Sequence, residues 1–251
     1  MHMHLAEVRK FPVGTGHSET SNISERAILM CGSALFAGLT AEECNQIACC
    51  GKMRMFAQDE LLFMQGQPLQ CLMLILTGSV KLTQLSSTGN EVILWMSGER
   101  EPIGVNGDRT AKSPTHSCSA RAMEPCSVLA WEYARCQMML DQFPRIAANI
   151  NQILTVRLEE LQERFREVAT ERVAKRLALT LLRLMKQVGR PHLAGTQVSL
   201  SREEMAQMIG TTLFTTSRIL SKWSETGVVM ARREGVVVRD ARHLELQAEM
   251  D

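Results

Sequence analysis

The spacing of apolar residues changes near Trp131, and the change limits the folds open to this chain. Between Met53 and Trp131, short apolar runs alternate with glycine-containing turns, as in ELLFMQG, CLMLILTGSVKLTQLS, NEVILWMSG and CSVLAW. Several short strands at this spacing predict a sandwich or a barrel-like roll. Helical spacing follows from Tyr133 to Thr170. Strands followed by helices favour an α+β fold.

The segment ahead of the roll predicts a loose polar arm over 1–22 and then helices. Gly38 is predicted to end the first helix, and Thr40 with Glu43 fits a capping box at the start of the next helix. Inside the roll, Gly89 and Asn90 of STGNE tolerate positive φ and predict a hairpin turn.

A heptad seam follows the roll, and it predicts a coiled coil between two copies of the chain. Its members alternate at spacings of four and three: Ala147, Asn151, Leu154, Leu158, Leu161, Phe165 and Val168. Charged residues flank it: Arg157, Glu159, Glu160, Glu163, Arg164, Arg166 and Glu167. The alternative is a helix packed on its own roll, for which a shorter stripe would suffice. Asn151, at an a position, would fix the register. From Glu171 another helix is predicted, ending at Gly189 and Pro191.

The stretch SREEMAQMIGTTLFTTSRILSKW predicts two short helices joined by a tight turn. Ser201 and Glu204 form a capping box, small Ala206 permits close approach of a second helix, and Gly210 supplies the turn. In the second helix, we expect Ile219, Leu220 and Trp223 to face the core. The outward residues are then Thr212, Leu213, Thr215, Ser217, Arg218 and Lys222. This arrangement is typical of a helix-turn-helix.

Two β-branched runs in GVVMARREGVVVRD predict a hairpin with a basic tip at Arg232, Arg233, Glu234 and Gly235. A helix-turn-helix followed by such a hairpin is a winged helix, whose arginines suit phosphate contacts. Residues 171–251 carry 13 lysines and arginines against 9 acidic residues, while residues 1–170 carry 15 against 18. Two packed helices that bind no DNA are the alternative. Ala206, Gly210, Arg218 and the basic wing together favour double-stranded DNA as the partner.

With these elements in this order, residues 35–245 resemble the Crp/Fnr (cyclic-AMP receptor/fumarate-nitrate regulator) family. The resemblance implies a homodimer joined through the long helix. It also implies pseudo-palindromic DNA, an effector in the roll that rotates the reading heads, and RNA polymerase as a partner if the protein is an activator. The predicted division is an arm (1–22), a cyclic-nucleotide-binding-like β-roll (23–143), a dimerisation helix (144–170) and a winged helix-turn-helix (171–251).

The resemblance implies a set of DNA contacts. Arg218 matches an arginine that reads guanine, Arg202 a phosphate or base-edge contact, and Thr212 and Thr215 hydroxyl contacts to the backbone. Where family members place an Arg-Glu pair, this chain has Leu213, expected to pack on a thymine methyl group, and Phe214, expected to face the core. The whole predicted set is Arg202, Thr211, Thr212, Leu213, Thr215, Ser217, Arg218, Lys222, Arg232 and Arg233.

The sensor segment departs from the cyclic-nucleotide pattern of that family. Gly104 is followed by Val105 instead of glutamate, and His116–Ser117 stand where an Arg-Ser pair would hold the cyclic phosphate. A neutral histidine is a poor substitute for a fixed cation. Leu161 and Gln162 stand in place of hydroxyl residues that cap the purine. These departures argue against cyclic AMP as the effector. The candidates for contacts with another effector are Gly104, Val105, His116 and Ser117.

Eight cysteines raise the question of a cofactor. The spacing of Cys44, Cys49 and Cys50 does not match an iron–sulfur sensor, and small apolar cysteines packing a helix–roll seam are the favoured interpretation. Haem stays open, with axial candidates His116, Cys71, Cys118, His2 and His4. A thiol switch is a further alternative for the sensor, and so is a regulator that binds no ligand at all.

The sequence holds no Walker loop, His-Glu-x-x-His motif or nucleophile elbow, so an enzyme is not expected. A cyclic-nucleotide module without DNA function is the other alternative, and the winged helix argues against it. No signal peptide or membrane span is evident, which predicts a cytoplasmic protein with reduced thiols.

Overall fold

The computed structural model describes residues 26–87, 89, 91–105, 114–232 and 235–249. The predicted arm at 1–22, with His2 and His4, lies outside the described residues. So do Asn90 of the predicted hairpin turn and Arg233 and Glu234 of the predicted wing tip.

The first part of the chain forms a roll of two four-stranded antiparallel sheets. After a helical segment at 26–31 and a 3-10 helix at Ala34–Phe36 come α1 (Ala41–Cys50), β1 (Lys52–Phe56), β2 (Leu61–Phe63), β3 (Cys71–Thr77), β4 (Val80–Leu85), β5 (Glu91–Ser97), β6 (Pro102–Ile103), β7 (Ser119–Ala122) and β8 (Cys126–Glu132). The strand orders are β1-β8-β3-β6 and β2-β7-β4-β5.

Both faces of strand β3 are buried, which is why its sequence reads as a continuous apolar run. Met73 and Ile75 point into the core between the sheets, while Leu72 and Leu74 pack under the helices. Trp131 anchors that second core, since its indole donates a hydrogen bond of 2.9 Å to the Ile47 carbonyl. The alternation of strand residues thus gives the roll two cores.

The capping box predicted at the start of α1 is confirmed. Thr40 Oγ1 accepts from the Glu43 backbone N–H at 3.2 Å, and the Glu43 carboxylate accepts from the Thr40 N–H at 2.7 Å. Together these bonds satisfy two backbone donors that a helix start otherwise leaves free. The helix then lies across the roll with Ile47 and Ala48 buried.

Three helices follow the roll: α2 (Tyr133–Gln142), α3 (Pro144–Thr170) and α4 (Val173–Gln187). The helical stretch expected from Tyr133 to Thr170 is therefore interrupted once, at Phe143. Proline is compatible with the first turn of a helix but disfavours the helical conformation in the residue before it. Pro144 begins α3, and the break falls one residue earlier.

The last part of the chain is a winged helix-turn-helix. It contains β9 (Arg190–His192), β10 (Gly195–Val198), α5 (Arg202–Ile209), α6 (Leu213–Glu225), β11 (Val229–Arg232), β12 (Gly235–Val238) and α7 (Ala241–Glu249). Its sheet has the order β11-β12-β10-β9. The β9–β10 hairpin and α7 are absent from the sequence interpretation. The expected α+β architecture of β-roll, long helix and winged helix-turn-helix is confirmed.

Strand β5 joins the roll to the DNA-binding unit. Ile93 and Met96 are buried in the same core as Leu184 of α4 and Met205 of α5. Beside them, Lys81 Nζ lies 2.5 Å from Glu204 Oε1. Among the described residues, no helix combines the length and the apolar character that crossing a membrane requires.

Candidate DNA-binding surface and effector region

The turn between α5 and α6 has the geometry that the sequence predicts. Ser201 Oγ accepts from the Glu204 N–H at 3.2 Å, and Glu204 Oε2 accepts from the Ser201 N–H at 2.9 Å. Gly210 ends α5 with φ 63° and ψ 51°, a left-handed conformation that favours glycine. Buried Ala206 lies on the inner face of α5. The two helices pack closely around this turn.

The orientation of α6 is fixed by its buried face. Thr216, Leu220 and Trp223 are buried, and Ile219 packs against the edge of the same core. Arg218 lies on the opposite face and is exposed. Thr216 was not expected in the core, although its spacing of four and seven residues from Leu220 and Trp223 is a helical signal.

The expectation that Phe214 faces the core is wrong, since its side chain is 76% exposed. Residues in a helix turn by about 100° each, so Phe214 is about 200° away from buried Thr216. Leu213, at the first position of α6, is 50% exposed, as expected for an outward residue.

The threonines at the start of α6 serve the helix itself. Thr212 is the N-cap, with its hydroxyl accepting from the Thr215 N–H at 3.2 Å and lying 3.0 Å from the Thr215 hydroxyl. Thr211 and Ser217 are half-buried, and Lys222 is exposed. These predicted contacts therefore share one helix and the turn before it.

Two other predicted contacts lie on neighbouring elements. Arg202 is the first residue of α5 and is half-buried. Arg232 ends β11 and is exposed, with Nη2 2.8 Å from His192 Nε2. Arg233 lies outside the described residues.

An open groove of about 370 Å³ lies between α6 and α7, lined in part by Arg218, Lys222 and His243. His243 was not singled out in the sequence, because α7 itself was not recognised. A second cationic side chain beside Arg218 makes this groove attractive to phosphate.

The candidate effector residues Gly104 and Val105 lie at the end of β6. Gly104 has φ 78°, and a Cβ there would come within 2.7 Å of the Cys71 carbonyl oxygen. Val105 is buried in the core under the helices. The backbone at this position is therefore tightly packed, and the side chain after the glycine contributes to packing.

His116 is buried with only 3% of its surface exposed, and its ring stacks on Phe63 with centroids 3.9 Å apart. Burial lowers the pKa of His116, so the ring is neutral at physiological pH. Ser117 is exposed, and its carbonyl accepts from the Gln84 side chain at 3.2 Å.

A polar cluster between the roll and α3 was missed by sequence reasoning. The Arg157 guanidinium lies 5.5 Å from the centre of the Trp95 ring and donates to the Pro102 carbonyl at 2.8 Å. Burial raises the pKa of Glu101, although Arg157, Ser97 and Trp95 act in the opposite direction. Polar atoms of Trp95, Ser97 and Glu101 are buried without a well-aligned hydrogen bond.

Arg164, seven residues after Arg157, donates to the Leu94 carbonyl at 2.5 Å and the Ile93 carbonyl at 3.1 Å. The sequence analysis counted both arginines among the charged flanks of the seam. Instead they bind the roll, and their spacing of two helical turns is the signal that could have shown it.

The predicted seam lies on α3 away from this contact. Leu158, Leu161, Phe165 and Val168 are exposed in the single chain, as is Asn151. Leu154 packs against the roll core. The second half of α3 therefore presents an apolar stripe.

The cysteines divide into exposed and buried sets. Cys31, Cys49 and Cys50 are exposed, and Cys44, Cys71, Cys118, Cys126 and Cys136 are buried. Burial, followed by a hydrogen bond with Cys31, raises the pKa of Cys44 to about 12. Burial also raises the pKa of Cys71 and Cys118. Within the described ranges, no group of three or more His, Cys, Asp or Glu side chains could hold a metal ion.

Comparison with known families matches two models. A cyclic nucleotide-binding domain matches residues 53–143, and a Crp-like helix-turn-helix domain matches residues 175–246. These ranges cover most of the roll and of the winged helix-turn-helix described above.

Individual relatives cover most of the chain. The cyclic AMP receptor protein of Thermus thermophilus is 31% identical over 221 residues, which are 86% of this chain and 97% of that protein. The transcriptional activator protein anr of Pseudomonas aeruginosa is 23% identical, over 76% of this chain and 78% of its own.

Two solved structures are similar in fold. The c-di-GMP-responsive regulator CLP of Xanthomonas campestris has a TM-score of 0.66 and 25% identity, covering 79% of this chain and 99% of CLP. FixK2 of Bradyrhizobium japonicum has a TM-score of 0.67 and 20% identity, covering 78% of this chain and 96% of FixK2. This chain therefore belongs to the Crp/Fnr family of DNA-binding transcription regulators.

Proposed function

We propose that this regulator is a homodimer that binds a pseudo-palindromic DNA site with α6 in the major groove. The observation that carries the proposal is the geometry of α6. Its buried residues fix the helix so that Arg218 projects to solvent on the opposite face. A helix-turn-helix places such a face against base edges.

In the proposed contacts, Arg218 reads a guanine, because its guanidinium can donate to O6 and N7 together. Lys222, Arg202 and the wing residue Arg232 supply phosphate contacts, which position the protein without reading sequence. The groove beside α6 adds His243 to this set. If the protein activates transcription, RNA polymerase is the further partner.

The dimer is proposed on the exposed stripe of α3. Leucine and phenylalanine side chains at a and d positions pack well only against a second helix. An isolated chain would leave this stripe in water, which soluble proteins rarely do unless the patch is an interaction site. Two copies joined there would present two α6 helices to two half-sites about one helical turn apart.

The effector of this chain is proposed to be something other than cyclic AMP. A cyclic phosphate needs a fixed cation, whereas the candidate position holds neutral, buried His116. The neighbouring candidate, Val105, is part of the core. These residues do not fit a cyclic nucleotide, even though the family model is named for one.

Haem held by a cysteine of the roll is not favoured by the surroundings of the candidate ligands. Cys71 and Cys118 are haem-ligand candidates, but burial raises the pKa of both thiols and so disfavours the thiolates that bind iron.

The roles proposed for the parts are an effector-sensing roll over 23–143, a dimerisation helix over 144–170 and a DNA-binding unit over 171–251. We propose a cytoplasmic regulator without enzyme activity.

Selection from a random duplex library, followed by fluorescence anisotropy, tests the DNA contacts. We expect enrichment of a palindrome, and Arg218→Ala should lose about 1–3 kcal/mol of discrimination at one base pair in each half-site. Arg242→Ala, at an exposed position of α7 outside the proposed contacts, is the matched control. Failure to enrich a palindrome at moderate salt, or an unchanged base preference in the Arg218 variant, would overturn the assignment of α6.

A further inference from the structure

The first turn of α6 carries an apolar side chain that folding does not explain. Phe214 is 76% exposed, and Thr216, Leu220 and Trp223 already complete the buried face of the helix. A phenylalanine gains about 1.5–3 kcal/mol when it is fully buried, so leaving it in water forgoes a large contribution to stability. Its position therefore indicates a contact that forms outside the chain.

Phe214 shares its face of α6 with Arg218. The two residues are four apart, so their side chains lie on the same side of the helix, one turn from each other. Phe214 is about 180° around the helix from buried Trp223, and Arg218 is about 160° from buried Leu220. Phe214 is thus continuous with the surface proposed to enter the DNA groove.

The polar side chains beside Phe214 are engaged within the helix and do not make the leading end of α6 polar. The hydroxyl of Thr212 caps the helix by accepting from the Thr215 N–H, and it lies 3.0 Å from the Thr215 hydroxyl, so the two hydroxyls are engaged with each other. Leu213 is also apolar and half exposed, on the flank of the same turn. The leading end of α6 is therefore apolar, whereas a surface meant only for phosphates would be polar or basic.

We propose that Phe214 is a specificity residue that packs on the 5-methyl group of a thymine in the major groove. The inference rests on the proposed placement of α6 and names a second base that it reads. The thymine methyl is the only apolar group that base edges present there, and apolar side chains contact it. Phe214 lies one helical turn, about 6 Å of rise, before Arg218, so this thymine is expected at a base pair near the guanine of Arg218.

Deoxyuridine provides a test, because it pairs as thymine does but lacks the methyl group. Each thymine of the enriched palindrome is replaced in turn, symmetrically in both half-sites, and affinity is measured by anisotropy. For the wild-type protein we expect at least one position where the replacement weakens binding about fourfold per half-site, the value of one buried CH₂-sized group. Cytosine at that position should bind less well than 5-methylcytosine.

Phe214→Ala should bind the thymine and deoxyuridine duplexes equally, while its thermal stability stays that of the wild type. Leu246→Ala, which removes an exposed apolar side chain from α7, is the matched control and should keep the preference for thymine. Leu213→Ala separates the two neighbours, because it should keep the preference for thymine at the position that Phe214→Ala makes insensitive, and a methyl contact of Leu213 itself would be lost at a different thymine.

The outcomes separate this inference from the proposed function. A palindrome whose binding depends on Arg218, with no position sensitive to deoxyuridine, would overturn the role of Phe214 and leave the placement of α6 intact. The same holds if Phe214→Ala keeps the full preference for thymine, in which case Phe214 serves another partner. Enrichment of no palindrome would overturn both.

Discussion

Glu101 lies in an environment that conflicts with its charge. Burial raises the pKa of its carboxyl group, and the nearby Arg157 guanidinium only partly offsets that effect. The folded chain thus favours the protonated form more than the unfolded chain does. Ionisation of Glu101 at neutral pH therefore costs folding free energy.

Glu101→Gln should consequently stabilise the protein at neutral pH. A gain of about 1 kcal/mol would raise the Tm by about 2–4 °C for a chain of this size. The advantage should shrink as the pH falls through the raised pKa and vanish below the ordinary value of 4.5, where both states bind the proton. Thermal melts followed by circular dichroism from pH 4 to pH 8 measure it.

Glu91→Gln is the control for this substitution, since Glu91 is exposed at the start of β5. It should leave the Tm and its pH dependence close to those of the wild type. A Glu101→Gln variant that is less stable at neutral pH would mean that the attraction to Arg157 outweighs burial.

At the scale of elements, local signals in the sequence were sufficient for much of the structure. The capping boxes at Thr40 and Ser201 and the turn at Gly210 depend on residues within four positions of each other, and all three were predicted. The exposure of Phe214 was not predicted. Leu213 and Phe214 are adjacent and both apolar, so only the packing of the helix decides which of them, if either, reaches the core.

Contacts between distant elements were also beyond the sequence. Arg157 and Arg164 bind carbonyl oxygens of the roll, and their charge alone suggested solvent. The seam of α3 was easier to recognise because its heptad spacing is local. Its exposed position agrees with the heptad pattern, whereas its partner stays a prediction.

The double substitution Leu158→Glu with Leu161→Glu tests that prediction. Two carboxylates in a close-packed helical seam would be desolvated without partners, so we expect monomers by multi-angle light scattering and weaker DNA binding. Gln152→Glu with Thr170→Glu adds the same charge to exposed positions of α3 outside the seam and should stay dimeric. A dimer that survives the first pair of substitutions would rule out the seam.

At the scale of the whole molecule, the roll and the DNA-binding unit share an interface. Lys81 of β4 pairs with Glu204 of α5 at 2.5 Å, with side chains only 14% and 18% exposed. Lys52 and Glu132 form a pair at the same distance on the surface, where their side chains are 64% and 51% exposed. The chain thus provides two ion pairs that differ mainly in burial.

Lys81→Gln should weaken the docking of α5 on the roll, because it leaves a shielded carboxylate without its cation. We expect a loss of about 1–3 kcal/mol, between the values typical of exposed and of buried pairs. Hydrogen–deuterium exchange should show faster exchange in both α5 and β4. Lys52→Gln should change stability by less than about 1 kcal/mol. Equal effects of the two substitutions would show that the interface contributes little to the fold.

The junction between α3 and α4 has a consequence for how the molecule responds to a signal. Only Glu171 and Arg172 separate the helices, and arginine contacts brace them: Arg183 to Glu167 in bidentate fashion, and Arg176 to the Val168 and Glu171 carbonyls. Hydrogen bonds weaken steeply as their geometry departs from the ideal, so a rotation of α4 against α3 has to break these contacts. If an effector in the roll rotates the reading heads, as the family resemblance implies, we expect this junction to resist small rotations and to yield once the arginine contacts break.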